Sequence, residues 1–239
     1  QWLIYDVTGT SADDVFVTGE LNDVVDGGAG VDTISTQAGN DTIVGGPGGD
    51  HIDVGTGSDR VVIGAADISA FTEMDRAHML LDTDIIVGMS DSNGSGDVLQ
   101  LDRSGFGDYS LSSLSVLSVD ITDPQVINNL GGTVGVLLYQ HVVPYYVIDG
   151  DTFNSDFLDW AVADIQVDNV VANDNHASDV YIAIAGQNVA RAADMAIFKI
   201  DHSASADPAL EKVYISSDEI ALVAVLREFG TTLSDGFVV

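Results

Sequence analysis

Six aspartates recur every nine residues: Asp14, Asp23, Asp32, Asp41, Asp50 and Asp59. A carboxylate is a hard oxygen ligand, suited to a cation such as calcium. Paired carboxylates also serve acid/base catalysis, but they stand everywhere in this chain and so nominate no particular catalytic pair. The regular spacing asks instead what local structure holds each aspartate. Written in rows of nine, the chain reads GTSADDVFV from Gly9, TGELNDVVD from Thr18, GGAGVDTIS from Gly27, TQAGNDTIV from Thr36, GGPGGDHID from Gly45 and VGTGSDRVV from Val54. Position six is always aspartate. Position eight is always apolar: Phe16, Val25, Ile34, Ile43, Ile52 and Val61. A loose acidic linker has no reason to keep both columns in phase.

The rows match the nonapeptide GGxGxDxUx, and the region from 9 to 62 resembles the RTX (repeats-in-toxin) family, for which the resemblance implies a parallel β-roll that binds calcium. The physical reading agrees. The first six residues of a row turn the chain, with glycine where φ must be positive, and the last three form a short strand whose position eight points inward. Two rows make one coil, so each row stacks on the next but one. Stacked turns bring their aspartates together while glycine-rich backbone presents carbonyls, which makes an oxygen cage.

The strongest cages pair the turn at 27–32 (Gly27, Gly28, Gly30, Asp32) with that at 45–50 (Gly45, Gly46, Gly48, Asp50), and the turn at 36–41 (Gly39, Asp41) with that at 54–59 (Gly57, Asp59). Two calcium ions are expected there. Two weaker cages, using Asp23 with Asp41 and Asp14 with Asp32, would raise the number to about four. The rows from Gly9 and Thr18 carry Ala12 and Leu21 in place of the position-four glycine, so coordination there is expected to be incomplete.

Composition points the same way. Against 38 acidic residues stand 7 Lys and Arg, a formal net charge of −31. Nucleic acid and anionic membrane are poor partners for such a surface. Self-repulsion opposes compaction, and bound cations relieve it. With 46% hydrophobic residues a packed core is expected, and with no cysteine neither disulfides nor thiolate metal sites are available. No apolar run is long enough to span a membrane, and membrane insertion is not expected.

The chain reads as mainly β: a short parallel β-roll over 1–64, then a β-rich α+β region over 65–239. Residues 65–81 have helical spacing. "DTDIIVGM" and "GDVLQLDRSGFGDY" alternate in the strand manner around a polar turn, which suggests a hairpin. Within that turn Asp91, Asn93, Ser95, Gly96 and Asp102 have the spacing of an EF-hand loop. The twelfth residue is not glutamate, however, and an ion-free loop is favoured, with Asp91 and Asp97 mattering little to binding. The acidic segments at 149–151 and 173–179 read as surface loops. Strands are expected in "TVGVLLYQHVVPYYVI", interrupted at Pro144, and in "DVYIAIAG" and "DMAIFKID", with a short helix in "NSDFLDWAVADI". "SSDEIALVAVLREFG" fits a helix, through the capping-box spacing of Ser216 and Glu219, as well as a strand.

The segments "GDVLQLD", "AIFKID", "SSDEIALVAVL" and the ending "TTLSDGFVV" look similar to the regions that follow RTX repeats in type I secreted bacterial proteins. That resemblance implies an uncleaved C-terminal export signal, an extracellular location and folding on external calcium. No HExxH, GxSxG or P-loop is present, and the five histidines form no compact sequence cluster. His51 is expected to face solvent, and Tyr139, Tyr145, Tyr146 and Trp160 to pack in cores. No enzyme activity is therefore expected of this chain. The expected function is that of a calcium-folded surface protein that self-associates or binds bacterial surface components, and the alternative is the folding and secretion module of a larger hydrolase or toxin.

Overall fold

The structure is a computed structural model that describes residues 6–70, 82–90, 96–102, 115–117, 137–147, 180–187, 194–200, 220–230 and 237–238. Each nonapeptide ends in a three-residue strand: β1 (Asp6–Thr8), β2 (Val15–Val17), β3 (Val24–Asp26), β4 (Thr33–Ser35), β5 (Thr42–Val44), β6 (His51–Asp53) and β7 (Arg60–Val62). The central residue of each inner strand points into the core because successive side chains alternate across a strand. Val25, Ile34, Ile43, Ile52 and Val61 are accordingly buried. His51, at the outward-facing position, is exposed as expected.

Alternate rows pair in parallel, eighteen residues apart, as in Val24↔Thr42 and Thr33↔His51. Two facing sheets result. One has the order β1-β3-β5-β7 and the other begins β2-β4-β6. The roll is thus as the rows require, and β1 adds a strand ahead of the first complete row.

After β7 the structure departs from the sequence-based expectations. Residues Ala65–Asp67 form one 3-10 turn and Ser69–Ala70 form strand β8, so the helix expected from residue 65 does not begin there. Residues 71–81 lie outside the described residues. The physical reason is visible at Asp67, which is buried and whose Oδ2 accepts the Gly64 N–H at 2.6 Å, closing a tight turn on itself.

The expected hairpin is also corrected. Strands β9 (Asp84–Val87) and β10 (Val98–Gln100) do not pair with each other: β9 lies parallel to β6, and β10 parallel to β7. They are two more strands of the roll, one in each sheet, and the sheets run past residue 64. Ile86 opposes Ile52 and Leu99 opposes Val61, so both apolar columns continue. Alternating apolar residues suit either arrangement, and burial between two sheets decides for the coil.

The remaining strands are β11 (Ser115–Leu117), β12 (Leu137–Val147), β13 (Val180–Gln187), β14 (Asp194–Ile200) and β15 (Ile220–Arg227). They extend the second sheet in the order β11-β12-β13-β14-β15-β9-β6-β4-β2, with β8 pairing β15. The 220–227 segment is therefore a strand. Ile220 and Leu222 to Leu226 are all buried, the both-face burial of a central strand and not the one-sided stripe of a surface helix. The β12 register shifts between Val143 and Val147, the interval containing Pro144, which has no N–H to give the ladder. The helix expected in 154–165, the acidic segments at 149–151 and 173–179, and Trp160 lie outside the described residues.

Residues 237–238 flank β10 at the edge of the first sheet. Val238 bridges Leu99, the Leu99 N–H donates to the Phe237 carbonyl at 2.7 Å, and the Phe237 ring packs on Phe229 at 4.7 Å. Phe237 and Val238 are buried and belong to the core. Ile86 joins the roll to β15. Its replacement by alanine should cost about 2–5 kcal/mol, as for other fully buried isoleucines, read by urea unfolding in saturating calcium. A loss below about 1 kcal/mol would show that the two parts do not share this core.

Candidate metal centre

The turns between strands stack into two columns of carboxylates. Along one, the Asp14 N–H donates to Asp32 Oδ1 at 2.8 Å and the Asp32 N–H to Asp50 Oδ1 at 2.8 Å. Along the other, the Asp23 N–H donates to Asp41 Oδ1 at 2.7 Å and the Asp41 N–H to Asp59 Oδ1 at 2.8 Å. The predicted aspartates are therefore brought together in the predicted pairs. Asp32, Asp41, Asp50 and Asp59 each spend one oxygen on the turn beneath.

The second oxygen separates inner from outer rungs. Oδ2 of Asp32, Asp41, Asp50 and Asp59 is buried without a hydrogen-bond partner. A buried carboxylate oxygen left unpartnered is costly, and a cation removes the cost. At the N-terminal end the corresponding oxygens have local donors. Asp14 Oδ2 accepts the Thr10 N–H and hydroxyl at 2.7 and 2.8 Å, and Asp23 Oδ2 accepts the Gly19 N–H at 3.2 Å. These are the rows with Ala12 and Leu21 at position four, where coordination was expected to be incomplete.

Glycine serves two separate purposes here. Gly28, Gly30, Gly39, Gly46, Gly48 and Gly57 have φ between +97° and +152°, which side chains rarely adopt. Gly27 and Gly45 need glycine for space instead. A methyl group on Gly27 would collide with Asp32 Oδ2 and the Gly45 carbonyl, and one on Gly45 with Asp50 Oδ2. On the Gly27 side, then, a carboxylate oxygen and a turn carbonyl face the same small space, as an oxygen cage requires. On the other column Thr36 takes that place, and its hydroxyl donates to the Val54 carbonyl at 2.9 Å. Among the described residues no three carboxylate or imidazole side chains meet at one point, so turn carbonyls must complete each ligand set.

Electrostatics gives the same answer. Burial, offset in part by the N–H each accepts, raises the carboxyl groups of Asp32 and Asp41 above the ordinary value. Burial pushes Asp50 and Asp59 to about 6, with neighbouring aspartates adding to the rise. Burial thus makes the ionised form of these groups costlier than in a free carboxylate, and a nearby positive charge offsets that cost.

Two rungs were missed by the row reading. The Asp50 N–H donates to Asp84 Oδ1 at 3.0 Å, and the Asp59 N–H to Asp97 Oδ1 at 2.8 Å. Asp97, expected to matter little, is buried and also accepts the Ser90 N–H at 2.7 Å. The separations are 34 and 38 residues instead of 18, which hides both from a search at fixed period. The signal was the triplet itself: Asp84-Ile85-Ile86 and Asp97-Val98-Leu99 repeat the aspartate-x-apolar order of Asp32-Thr33-Ile34. Residues 91–95 of the EF-hand-like loop lie outside the described residues.

The family of RTX calcium-binding nonapeptide repeats matches residues 8–43 and 26–61. No curated protein sequence matches the chain. Among solved structures, the chain is similar to the AlgE6R3 subunit of the mannuronan C5-epimerase of Azotobacter vinelandii, solved in solution. The identity is 27% and the TM-score 0.34, over 48% of this chain and 60% of that one.

Proposed function

We propose, from the premise that residues 8–61 are RTX calcium-binding nonapeptide repeats, that this chain is an extracellular structural protein exported by a type I system. It folds on calcium outside the cell and takes part in surface assembly, as a surface-layer, filament or adhesin component. RTX repeats are typical of type I secreted bacterial proteins, which supports the location.

The observation that carries the assembly reading is the asymmetry of the two ends of the roll. At one end β9 is paired by β15, and β10 is bridged by Val238. At the other, β1 and β2 are the outermost strands among the described residues, and Val15 and Val17 are 74% and 68% exposed. A parallel edge without a partner strand among the described residues, flanked by exposed apolar side chains, is a template for docking a neighbouring subunit. Calcium strengthens this twice: it cancels negative charge between copies and gives the edge a fixed shape.

Light scattering and electron microscopy at millimolar calcium should show assemblies that a chelator dissolves. A strictly monomeric calcium-loaded chain at high concentration would sink the assembly reading. It would favour the second reading, the folding and secretion module of a larger hydrolase or toxin. That reading draws support from β1, which already occupies coil register ahead of the first complete nonapeptide.

A further inference from the structure

Asp84 lies beyond the matched repeats and opens strand β9, at the seam between the roll and the C-terminal part of the second sheet. It is 1% exposed. Its Oδ1 accepts the Asp50 N–H, just as Asp50 Oδ1 accepts the Asp32 N–H. Its Oδ2 is buried and without a hydrogen-bond partner, which also holds for Oδ2 of Asp50. The turn at 45–50 therefore lies beneath the same kind of carboxylate as the turn at 27–32, although the upper rung comes from sequence with no nonapeptide pattern. The geometry points to an additional divalent-cation site, of the calcium type, between the turn at 45–50 and Asp84. Asp84 Oδ2 is a ligand, and the Asp50 carboxylate and carbonyls of the turn complete the set.

Charge supports the assignment. Burial raises the Asp84 carboxyl well above its usual value, and Asp50 and Asp67 push it further. Asp67 and Asp32 act on Asp50 in the same direction. Two buried carboxylates in this position must share a proton or a cation, and the cation is the better partner where calcium is abundant. Asp97, the matching rung of the other column, does not qualify, because the Ser90 N–H occupies its Oδ2.

The site has a structural consequence. Strand β9 pairs with β6 on one side and β15 on the other, with Asp84 opposite Ala224. An ion held by Asp84 fixes the first residue of the strand that carries the roll into the rest of the sheet.

The proposal rests on calcium binding by the repeats, and one titration of the full chain separates the two. Aspartate side-chain carboxyl ¹³C resonances, assigned through the backbone, are followed as calcium is added. Those of Asp32, Asp41 and Asp84 should all move, and calorimetry of Asp84→Asn should find one ion fewer than the parent. If Asp32 and Asp41 move while Asp84 stands still, Asp84 is a hydrogen-bonding rung that shares a proton with Asp50, and the proposal is overturned. If none of the three moves, calcium binding by the roll fails with it. An unaltered ion count in a folded Asp84→Asn protein also overturns the proposal. Should that variant not fold, the titration of the parent decides.

Discussion

Chelating calcium should abolish the parallel ladders of the roll, with loss of β-signal in circular dichroism and of amide protection across residues 9–62. The stability balance gives the reason. Four buried carboxylates, those of Asp32, Asp41, Asp50 and Asp59, each have one oxygen without a donor. An unpaired buried charge costs several kcal/mol after relaxation, and four approach or exceed the roughly 5–15 kcal/mol by which a whole domain is stable. The chain has little else to offset them, since its 7 Lys and Arg face 38 acidic residues. Protonation is a poor remedy at neutral pH, because even the most perturbed of these four groups reach only about 6. The loss should extend to β9, which would keep β15 but lose β6. Chelated protein that kept its full β-signal and unchanged exchange over these residues would refute calcium-coupled folding.

Replacing Asp50 by alanine should be among the most damaging single changes within the turns, because Asp50 is an inner rung bonded to the rungs on both sides of it. Its Oδ1 satisfies the buried Asp32 N–H, and its Oδ2 faces the space that Gly45 keeps open. The orphaned N–H alone costs about 1–3 kcal/mol. Loss of an ion adds to this: a site held at 100 times its dissociation constant contributes about 2.7 kcal/mol. Calorimetry should find at least one calcium fewer than in the parent, and the folding midpoint should move to higher calcium. Asp50→Asn separates the two effects, since the amide oxygen can still accept the Asp32 N–H while the charge is gone. It should lose the ion but less of the metal-independent stability. Equal calcium stoichiometry in Asp50→Ala and the parent would remove Asp50 from the ligand set.

The roll was legible because its information is local and repeated. A nine-residue period places every aspartate at the same point of its turn and every position-eight residue on the same side of its strand. Eighteen-residue pairing follows once two rows make a coil, and Thr33↔His51 and Thr42↔Arg60 keep that register. Even a departure from the pattern was informative. The rows with Ala12 and Leu21 are those whose aspartates find donors within their own turns, at Thr10 and Gly19.

Beyond residue 64 several strands are legible in the sequence but their partners are not. β13 and β14 fall where "DVYIAIAG" and "DMAIFKID" place them. β9 and β10 are strands too, but a short alternating segment carries no mark of its neighbour. A hairpin would have paired them through the intervening turn, whereas each found a better-matched apolar column: Ile86 against Ile52 and Leu99 against Val61. For 220–227 the local signals of cap and strand were balanced, and burial between β9 and β14 settled the conformation.

By itself, then, the sequence determined the turns, the inward face and the cation chemistry of the repeats, because each depends on residues within one or two rows. Only the tertiary structure decided that Asp84 and Asp97 extend the two carboxylate columns, that β9 joins the roll to β15, and that Phe237 and Val238 close the edge of β10. These contacts join segments separated by irregular lengths of chain. Their free energy comes from shared burial and from oxygens left without donors, and neither quantity exists until the sheets are assembled.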